Sequence, residues 1–118
     1  MSKLSEDLKK WRFERLRAAM VEEDYEVLIV AGRFDAFQLG YLRYISNWRL
    51  WAGNGYVIFP LEEEPELLLP AQSQTHWADQ QCWISAIHAP EPLEYISDYL
   101  NEKRFDRDRI GLVGSEEI

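Results

Sequence analysis

The chain has 118 residues, of which 47% are hydrophobic and 14% aromatic, and its formal net charge at pH 7 is −8. A chain of this length and composition folds as one domain around one hydrophobic core, which excludes an intrinsically disordered protein. The excess of acidic residues argues against nucleic acid as a partner, because phosphate binding needs a basic face, and it disfavours acidic membrane surfaces for the same reason. We therefore expect a single domain over residues 1–118.

The first predicted elements are a helix over residues 5 to about 23 and a strand over residues 25–31. Apolar residues at helical spacing predict one buried helix face that continues with some drift: Leu4, Leu8, Trp11, Phe13, Leu16 and Met20. Basic and acidic residues alternate among them and largely cancel, so the outer face should be solvated. The strand has a continuously apolar core, which predicts burial on both faces, and Gly32 should end it. Residues 33–39 have the pattern of a short helix.

A hairpin is the clearest feature of the middle of the chain. After a loop over residues 46–54, an apolar strand over residues 56–59 is stopped by Pro60, and three consecutive glutamates form a turn. The return strand, over residues 66–69, is stopped by Pro70. Prolines at strand ends with a charged turn between them indicate an antiparallel hairpin whose acidic turn is exposed to solvent.

The last third of the chain alternates helices and strands. Residues 71–81 predict a short helix, residues 83–88 a fourth strand and residues 109–114 a fifth. Pro92 suits the first turn of a further helix. The apolar face of that helix consists of Leu93, Ile96, Tyr99 and Leu100. Helices between strands imply parallel pairs and the hairpin implies an antiparallel one, so we predict an α/β fold: a mixed sheet of about five strands with helices on both faces.

Cysteine usage and the amino-terminal residues indicate a reducing compartment. Cys82 is the single cysteine, which excludes an intramolecular disulfide and predicts a buried structural thiol. The amino-terminal residues are polar and lack the apolar core of a signal peptide, and no apolar run approaches the length of a membrane span. We expect a cytoplasmic protein without a membrane partner.

The motifs of the common reaction classes are absent from the sequence. His76 and His88 are twelve positions apart, which is no standard metal-ligand spacing, and there is no His-Glu-x-x-His motif. A Gly-x-Ser-x-Gly elbow for a serine nucleophile and a Gly-x-Gly-x-x-Gly nucleotide fingerprint are also missing. We therefore assign no catalytic residue and no metal ligand to this chain.

One loop combines aromatic, basic and amide side chains beside glycines. Its residues are Asn47, Trp48, Arg49 and Trp51. Such residue types are enriched at interfaces and in pockets, and loops carry function more often than core elements do. The alternative is that the indoles cap the edge of the sheet. The four residues are our candidate for a substrate-proximal or interface loop.

Several segments, taken in order, carry a family likeness: Arg15-Leu16-Arg17-Ala18-Ala19-Met20, Tyr25-Glu26-Val27-Leu28-Ile29-Val30, Tyr41-Leu42, Tyr44-Ile45-Ser46-Asn47, Gly55-Tyr56-Val57-Ile58-Phe59-Pro60 with Glu66-Leu67-Leu68-Leu69-Pro70, the segment from Pro92 to Leu100, and Arg109-Ile110-Gly111-Leu112-Val113-Gly114. In this order they resemble the amino-terminal domain of the creatinase/prolidase/Xaa-Pro aminopeptidase family. One departure is the run from Tyr44 to Trp48, where that family often has Tyr-Leu-Thr-Gly-Phe. The likeness rests on order and apolar texture over nearly the whole chain.

The resemblance implies a ribonuclease-H-like mixed sheet and a separate carboxy-terminal "pita-bread" catalytic domain. In peptidase members that domain holds two divalent metal ions (Mn, Co or Zn) on two Asp, one His and two Glu, none of which maps onto this chain. The resemblance further implies that this domain is non-catalytic, that it supports a homodimer or larger assembly, and that its loop narrows an active site. A stand-alone α/β binding module for a small ligand or a protein stays open as the alternative.

Overall fold

The computed structural model describes residues 3–33, 44–47 and 54–113. Three helices, one 3-10 turn, five strands and a helical segment at residues 44–46 lie in this part of the chain. In chain order they are α1 (Lys3–Glu22), β1 (Val27–Arg33), β2 (Asn54–Pro60), β3 (Glu66–Leu68), α2 (Gln72–Gln81), β4 (Ala86–His88), α3 (Pro92–Lys103), the 3-10 turn (Arg107–Arg109) and β5 (Ile110–Val113). The predicted helix over residues 33–39 lies outside the described residues, apart from Arg33, which belongs to β1.

The five strands form one mixed sheet in the order β4-β3-β2-β1-β5. The pairs β1–β2 and β2–β3 are antiparallel, whereas β1–β5 and β3–β4 are parallel. This topology confirms the predicted hairpin and the predicted mixed sheet. The expectation that Gly32 ends the first strand is wrong, because Gly32 pairs with Gly55 and the ladder continues to Arg33 opposite Asn54.

Helices pack on both faces of the sheet, as predicted. On one face, α1 contributes Phe13 and Met20 and α2 contributes Ala78 to a buried core with the inward side chains of β2. The rings of Phe13 and Phe59 meet edge to face with centroids 5.0 Å apart. On the other face, α3 buries Tyr99 against Ile58 and its neighbours. The alternation of side chains along β2 therefore feeds two separate cores.

The prediction of one drifting apolar face on α1 is wrong. Phe13 and Met20 are buried and Leu16 packs against the same core, but Leu4, Leu8 and Trp11 are 79%, 38% and 50% exposed. At about 100° per residue, the three exposed residues lie within about 60° of one another, on the far side of the helix from the buried three. The helix thus has two apolar lines, and the fold uses one of them.

The fourth strand begins later than predicted, at Ala86 rather than at residue 83. The backbone N–H of Trp83 donates to the carbonyl of Ser46 at 2.8 Å, so Trp83 is not part of the ladder with β3. Helix α3 begins where proline predicted it. The side chain of Glu91 accepts hydrogen bonds from the backbone N–H groups of Leu93 and Glu94, which caps the first turn.

Candidate functional site

The candidate loop leaves the core through a short stem at residues 44–47. Residues 44–46 are helical, and Ile45 and Ser46 are buried. Asn47 is exposed and has a φ of 58°, in the left-handed region that asparagine tolerates better than most residues. The chain therefore turns sharply at Asn47, the first residue of the predicted loop set.

A group of contacts, here called the loop anchor, fastens this stem to α1 and to Trp83, which lies three residues before β4. The guanidinium carbon of Arg12 lies 4.4 Å from the centre of the Tyr44 ring and 5.2 Å from that of Trp83, and its Nη1 donates to the Tyr44 carbonyl at 3.0 Å. The indole Nε1 of Trp83 donates to Ser5 Oγ at 2.7 Å. With the bond from Trp83 to Ser46, these contacts join three separate segments into one unit.

The other end of the loop is fixed by the sheet. Asn54 is the first residue of β2 and pairs with Arg33 at the end of the β1–β2 ladder. Residues 48–53 thus lie between an anchored stem, which precedes them in the chain, and a paired strand, which follows them. Trp48, Arg49 and Trp51 lie outside the described residues, so their convergence with Asn47 stays a prediction.

The structure assembles a second polar cluster that the sequence did not predict, here called the Glu66 cluster. Glu66 Oε1 accepts a hydrogen bond from the hydroxyl of Tyr95 and lies 3.2 Å from Nε2 of His88. The rings of His88 and Tyr95 are 5.4 Å apart. Burial, together with the bond to Glu66, raises the pKa of Tyr95 above its usual value. The cluster ties β3, β4 and α3 together at one edge of the sheet.

Sequence reasoning missed this cluster because its members come from three elements that meet only in the fold. The signal was a charged residue at the start of a strand that is otherwise apolar. The cluster lies at the sheet edge formed by β4, and its hydrogen bonds are made among its own members. We interpret the Glu66 cluster as a structural contact that holds β3, β4 and α3 together.

The three glutamates of the hairpin turn are exposed to solvent, as predicted, and side chains from α1 and α3 contact the turn. Lys103 Nζ lies 2.9 Å from Glu63 Oε2, and this contact raises the pKa of Lys103. Arg17 Nη2 donates to the Glu63 carbonyl at 2.7 Å. A cleft of about 260 Å³ beside the turn is lined by charged residues that include Glu63, Lys103 and Arg109, and Arg109 pairs with Glu26 at 2.6 Å. Two ion pairs, Lys103 with Glu63 and Arg109 with Glu26, therefore lie along this cleft.

The single thiol has the character of a structural group. Burial raises the pKa of Cys82 to about 11, so the thiol keeps its proton at neutral pH and is a poor nucleophile. Its Sγ donates to the Ile84 carbonyl at 3.3 Å and accepts from the Ile84 N–H at 3.1 Å. The chemistry that the structure gives this thiol is that of a local hydrogen-bonding group.

The described part of the chain was compared with the clusters of metal-binding side chains that a metal-dependent hydrolase uses. Over residues 3–33, 44–47 and 54–113, no three or more His, Cys, Asp or Glu side chains are grouped so that they could hold a metal ion. His76 contacts the ring of Trp77 edge to face, and His88 belongs to the Glu66 cluster. Within these same ranges no helix has the length and apolarity that a membrane crossing requires.

Several solved structures have a fold similar to that of this chain. An aminopeptidase P (Xaa-Pro aminopeptidase) from Streptococcus thermophilus superposes with a TM-score of 0.70 at 21% identity, over 88% of this chain and 73% of that one. The chain shares its fold with that protein. Prolidases from Pyrococcus furiosus and Pyrococcus horikoshii match with TM-scores of 0.54 and 0.55, each at 14% identity, over 82% and 86% of this chain.

The extent of these matches differs from one protein to the next. The chain spans 30% and 32% of the lengths of the two prolidases but 73% of the aminopeptidase P chain. The sequence matches no protein-family model and no curated protein. The structural match to the aminopeptidase P chain confirms the mixed α/β fold that the family resemblance implied.

Proposed function

We propose that this chain is a non-catalytic amino-terminal domain of a metal-dependent Xaa-Pro peptidase or creatinase-like hydrolase. The observation that carries the proposal is the extent of the structural match. Most of this chain corresponds to less than a third of each prolidase, so the rest of such an enzyme lies outside the matched fold. A separate carboxy-terminal domain is the partner that this proposal requires, and the divalent metal belongs to that domain.

The chemistry of the described residues supports a scaffold role. The polar clusters of the structure hold elements together: the Glu66 cluster joins three elements, and Arg109 joins the turn after α1 to the segment before β5 through Asp24 and Glu26. The thiol of Cys82 is protonated at neutral pH. Such side chains stabilise a fold, and the reaction is left to residues of another domain.

The candidate loop gives this scaffold a way to act on a neighbouring active site. The loop anchor holds the stem against α1, and the β1–β2 ladder holds the other end at Asn54. A loop fixed at both ends can present Asn47, Trp48, Arg49 and Trp51 at a defined place, where they would narrow a substrate cleft or join subunits. We propose this role for the loop, an oligomeric parent protein, and a cytoplasmic location.

The coding sequence that follows Ile118 tests the domain assignment directly. We expect roughly 200 or more further residues that include two Asp, one His and two Glu in order, given typical domain sizes. A stop codon directly after Ile118 would contradict the proposal and favour a stand-alone binding module.

A deletion in the full natural protein tests the division of labour. Removing residues 1–118 should leave bound metal with the remaining domain, measured by elemental analysis, and should reduce the oligomer size, measured by light scattering. Metal that leaves with residues 1–118 would overturn the assignment of the metal to the other domain, and an unchanged oligomer would overturn the assembly role.

Substitutions in the same full protein test the loop. Trp48→Ala and Trp51→Ala should change the ratio of turnover on short and longer Xaa-Pro peptides, because the loop is proposed to limit access. Trp77→Ala, at an exposed tryptophan on α2, is the matched control and should leave that ratio unchanged. Equal ratios in all three variants would contradict a role of the loop at the active site.

A further inference from the structure

One arginine of α1 lies against two aromatic rings of the loop anchor. Arg12 is half-buried, and its guanidinium carbon is 4.4 Å from the centre of the Tyr44 ring and 5.2 Å from that of Trp83. Its Nη1 also donates to the Tyr44 carbonyl at 3.0 Å. A planar guanidinium can stack on a ring and donate in a fixed direction at the same time, which the point charge of a lysine cannot do. One side chain therefore fixes both the ring and the backbone of Tyr44.

The charge of Arg12 has no carboxylate partner within residues 3–33, 44–47 and 54–113. Arg109 differs in this respect, because it pairs with Asp24 and Glu26. The Nε of Arg12 is buried without a hydrogen-bond partner, an arrangement that lowers the stability of the fold. An apolar side chain would avoid that cost, so filling the space does not account for an arginine here. What an apolar side chain could not supply is the directed contact with Tyr44.

The stem is held by contacts from two other segments of the chain. Arg12 contacts Tyr44 from α1, and the N–H of Trp83 donates to the Ser46 carbonyl at 2.8 Å. The chain then turns at Asn47, whose φ is 58°. Arg12 does not belong to the buried core, whereas Trp83 does. The contact from Arg12 can therefore be removed while the core remains intact.

We propose that Arg12 is a positioning residue: it fixes the stem at residues 44–47 and so sets the direction in which Asn47 leaves the core. In the full natural protein it would thereby influence which lengths of peptide the active site accepts. The inference deepens the proposed function and rests on it, because this second part requires the candidate loop to lie at the active site. The first part concerns described residues alone and can be tested in the 118-residue chain.

Hydrogen exchange tests the action of Arg12 on the stem. Arg12→Lys keeps the positive charge but loses the stacking plane and the directed donor, so the amides of residues 45–47 should exchange at least about tenfold faster. Arg15→Lys is the matched control, since Arg15 is exposed on the same helix and lies 4.7 Å from the centre of the Trp11 ring; exchange at the stem should stay unchanged. The amides of β2 give the reference, because a general loss of stability would speed exchange there as well.

Turnover by the full natural protein tests the second part. Arg12→Lys should change the ratio of turnover on short and longer Xaa-Pro peptides by at least about threefold, in the same direction as Trp48→Ala. The change should appear in KM for the longer peptides with kcat on short peptides unaltered, because the reacting groups belong to the other domain. Arg15→Lys should leave the ratio and both constants as they are in the unchanged protein.

Several results would overturn the inference. Exchange at residues 45–47 that is unchanged in Arg12→Lys, or that rises equally in β2 or in Arg15→Lys, would show that Arg12 does not position the stem. A ratio that changes in Trp48→Ala but not in Arg12→Lys would overturn the inference alone. An unchanged ratio in both would overturn it together with the proposed role of the loop. Should Arg12→Lys fail to fold, Tyr44→Leu removes the ring on which Arg12 stacks and has the same expected results.

Discussion

Replacing Trp83 with alanine tests the loop anchor most severely. Trp83 is 3% exposed, its indole N–H donates to Ser5, and its ring lies beside Arg12. Truncating a buried tryptophan to alanine costs about 3–5 kcal/mol, which includes about 1 kcal/mol for the lost hydrogen bond. A domain of this size has a total stability of about 5–15 kcal/mol, so the midpoint of thermal unfolding should fall by about 10–20 °C.

Trp77 supplies the matched control, because it is 50% exposed on α2 and the same substitution there should cost less than about 1 kcal/mol. Urea unfolding followed by far-UV circular dichroism compares the two variants without relying on tryptophan fluorescence. Should Trp83→Ala fail to fold, Trp83→Phe keeps an aromatic ring and should cost about 1–2 kcal/mol. Equal losses from Trp83→Ala and Trp77→Ala would refute the reasoning.

Hydrogen exchange shows whether the anchor acts on the stem of the loop. The amides of residues 45–47 should exchange faster in Trp83→Phe than in the unchanged chain, since the Trp83 side chain helps to hold this stem against α1. Exchange in the middle of β2 should change less, because those amides pair within the sheet. Unchanged protection at residues 45–47 would show that the indole does not fix the stem.

Three further predictions concern single side chains. The free energy of unfolding should fall between about pH 9 and pH 11, because the unfolded chain loses the Cys82 proton there while the native chain keeps it. In Cys82→Ser this part of the decrease should be missing. Parallel curves of unfolding free energy against pH for the two proteins would contradict the prediction. Tyr95→Phe should lower the free energy of unfolding in urea by about 1 kcal/mol, because the hydrogen bond to Glu66 is lost. An unchanged urea midpoint would contradict a stabilising role of the Glu66 cluster. Gly111→Ala should cost about 1–3 kcal/mol, because its Cβ would approach Leu28 to 2.6 Å; a more stable variant would show that the site has room.

The order of elements was predictable because its signals are local. Pro60 and Pro70 mark the ends of the hairpin strands, and Pro92 marks the first turn of α3. The apolar run at the centre of β1 correctly indicated a strand covered on both faces, which the two cores confirm. Local chemistry of this kind is sufficient to recognise an α/β sheet with parallel and antiparallel pairs.

The errors and omissions come from contacts that are distant in sequence. Gly32 stays in its strand because Gly55 pairs with it, and Trp83 leaves the sheet because Ser46 accepts its N–H. The Glu66 cluster joins residues up to 29 positions apart. On α1, apolar spacing alone could not tell which of two lines faces the core. Of the candidate loop set, the structure describes Asn47, and the roles of the other three residues stay predictions.

The central claim is that this chain is a scaffold whose reactive residues belong to another domain. The most direct measurement is turnover of Xaa-Pro dipeptides by the purified 118-residue chain with added manganese or cobalt. The account predicts no hydrolysis above the rate of metal and buffer alone, under conditions where circular dichroism shows the chain to be folded. Metal-dependent hydrolysis that rises in proportion to the amount of folded chain would contradict it.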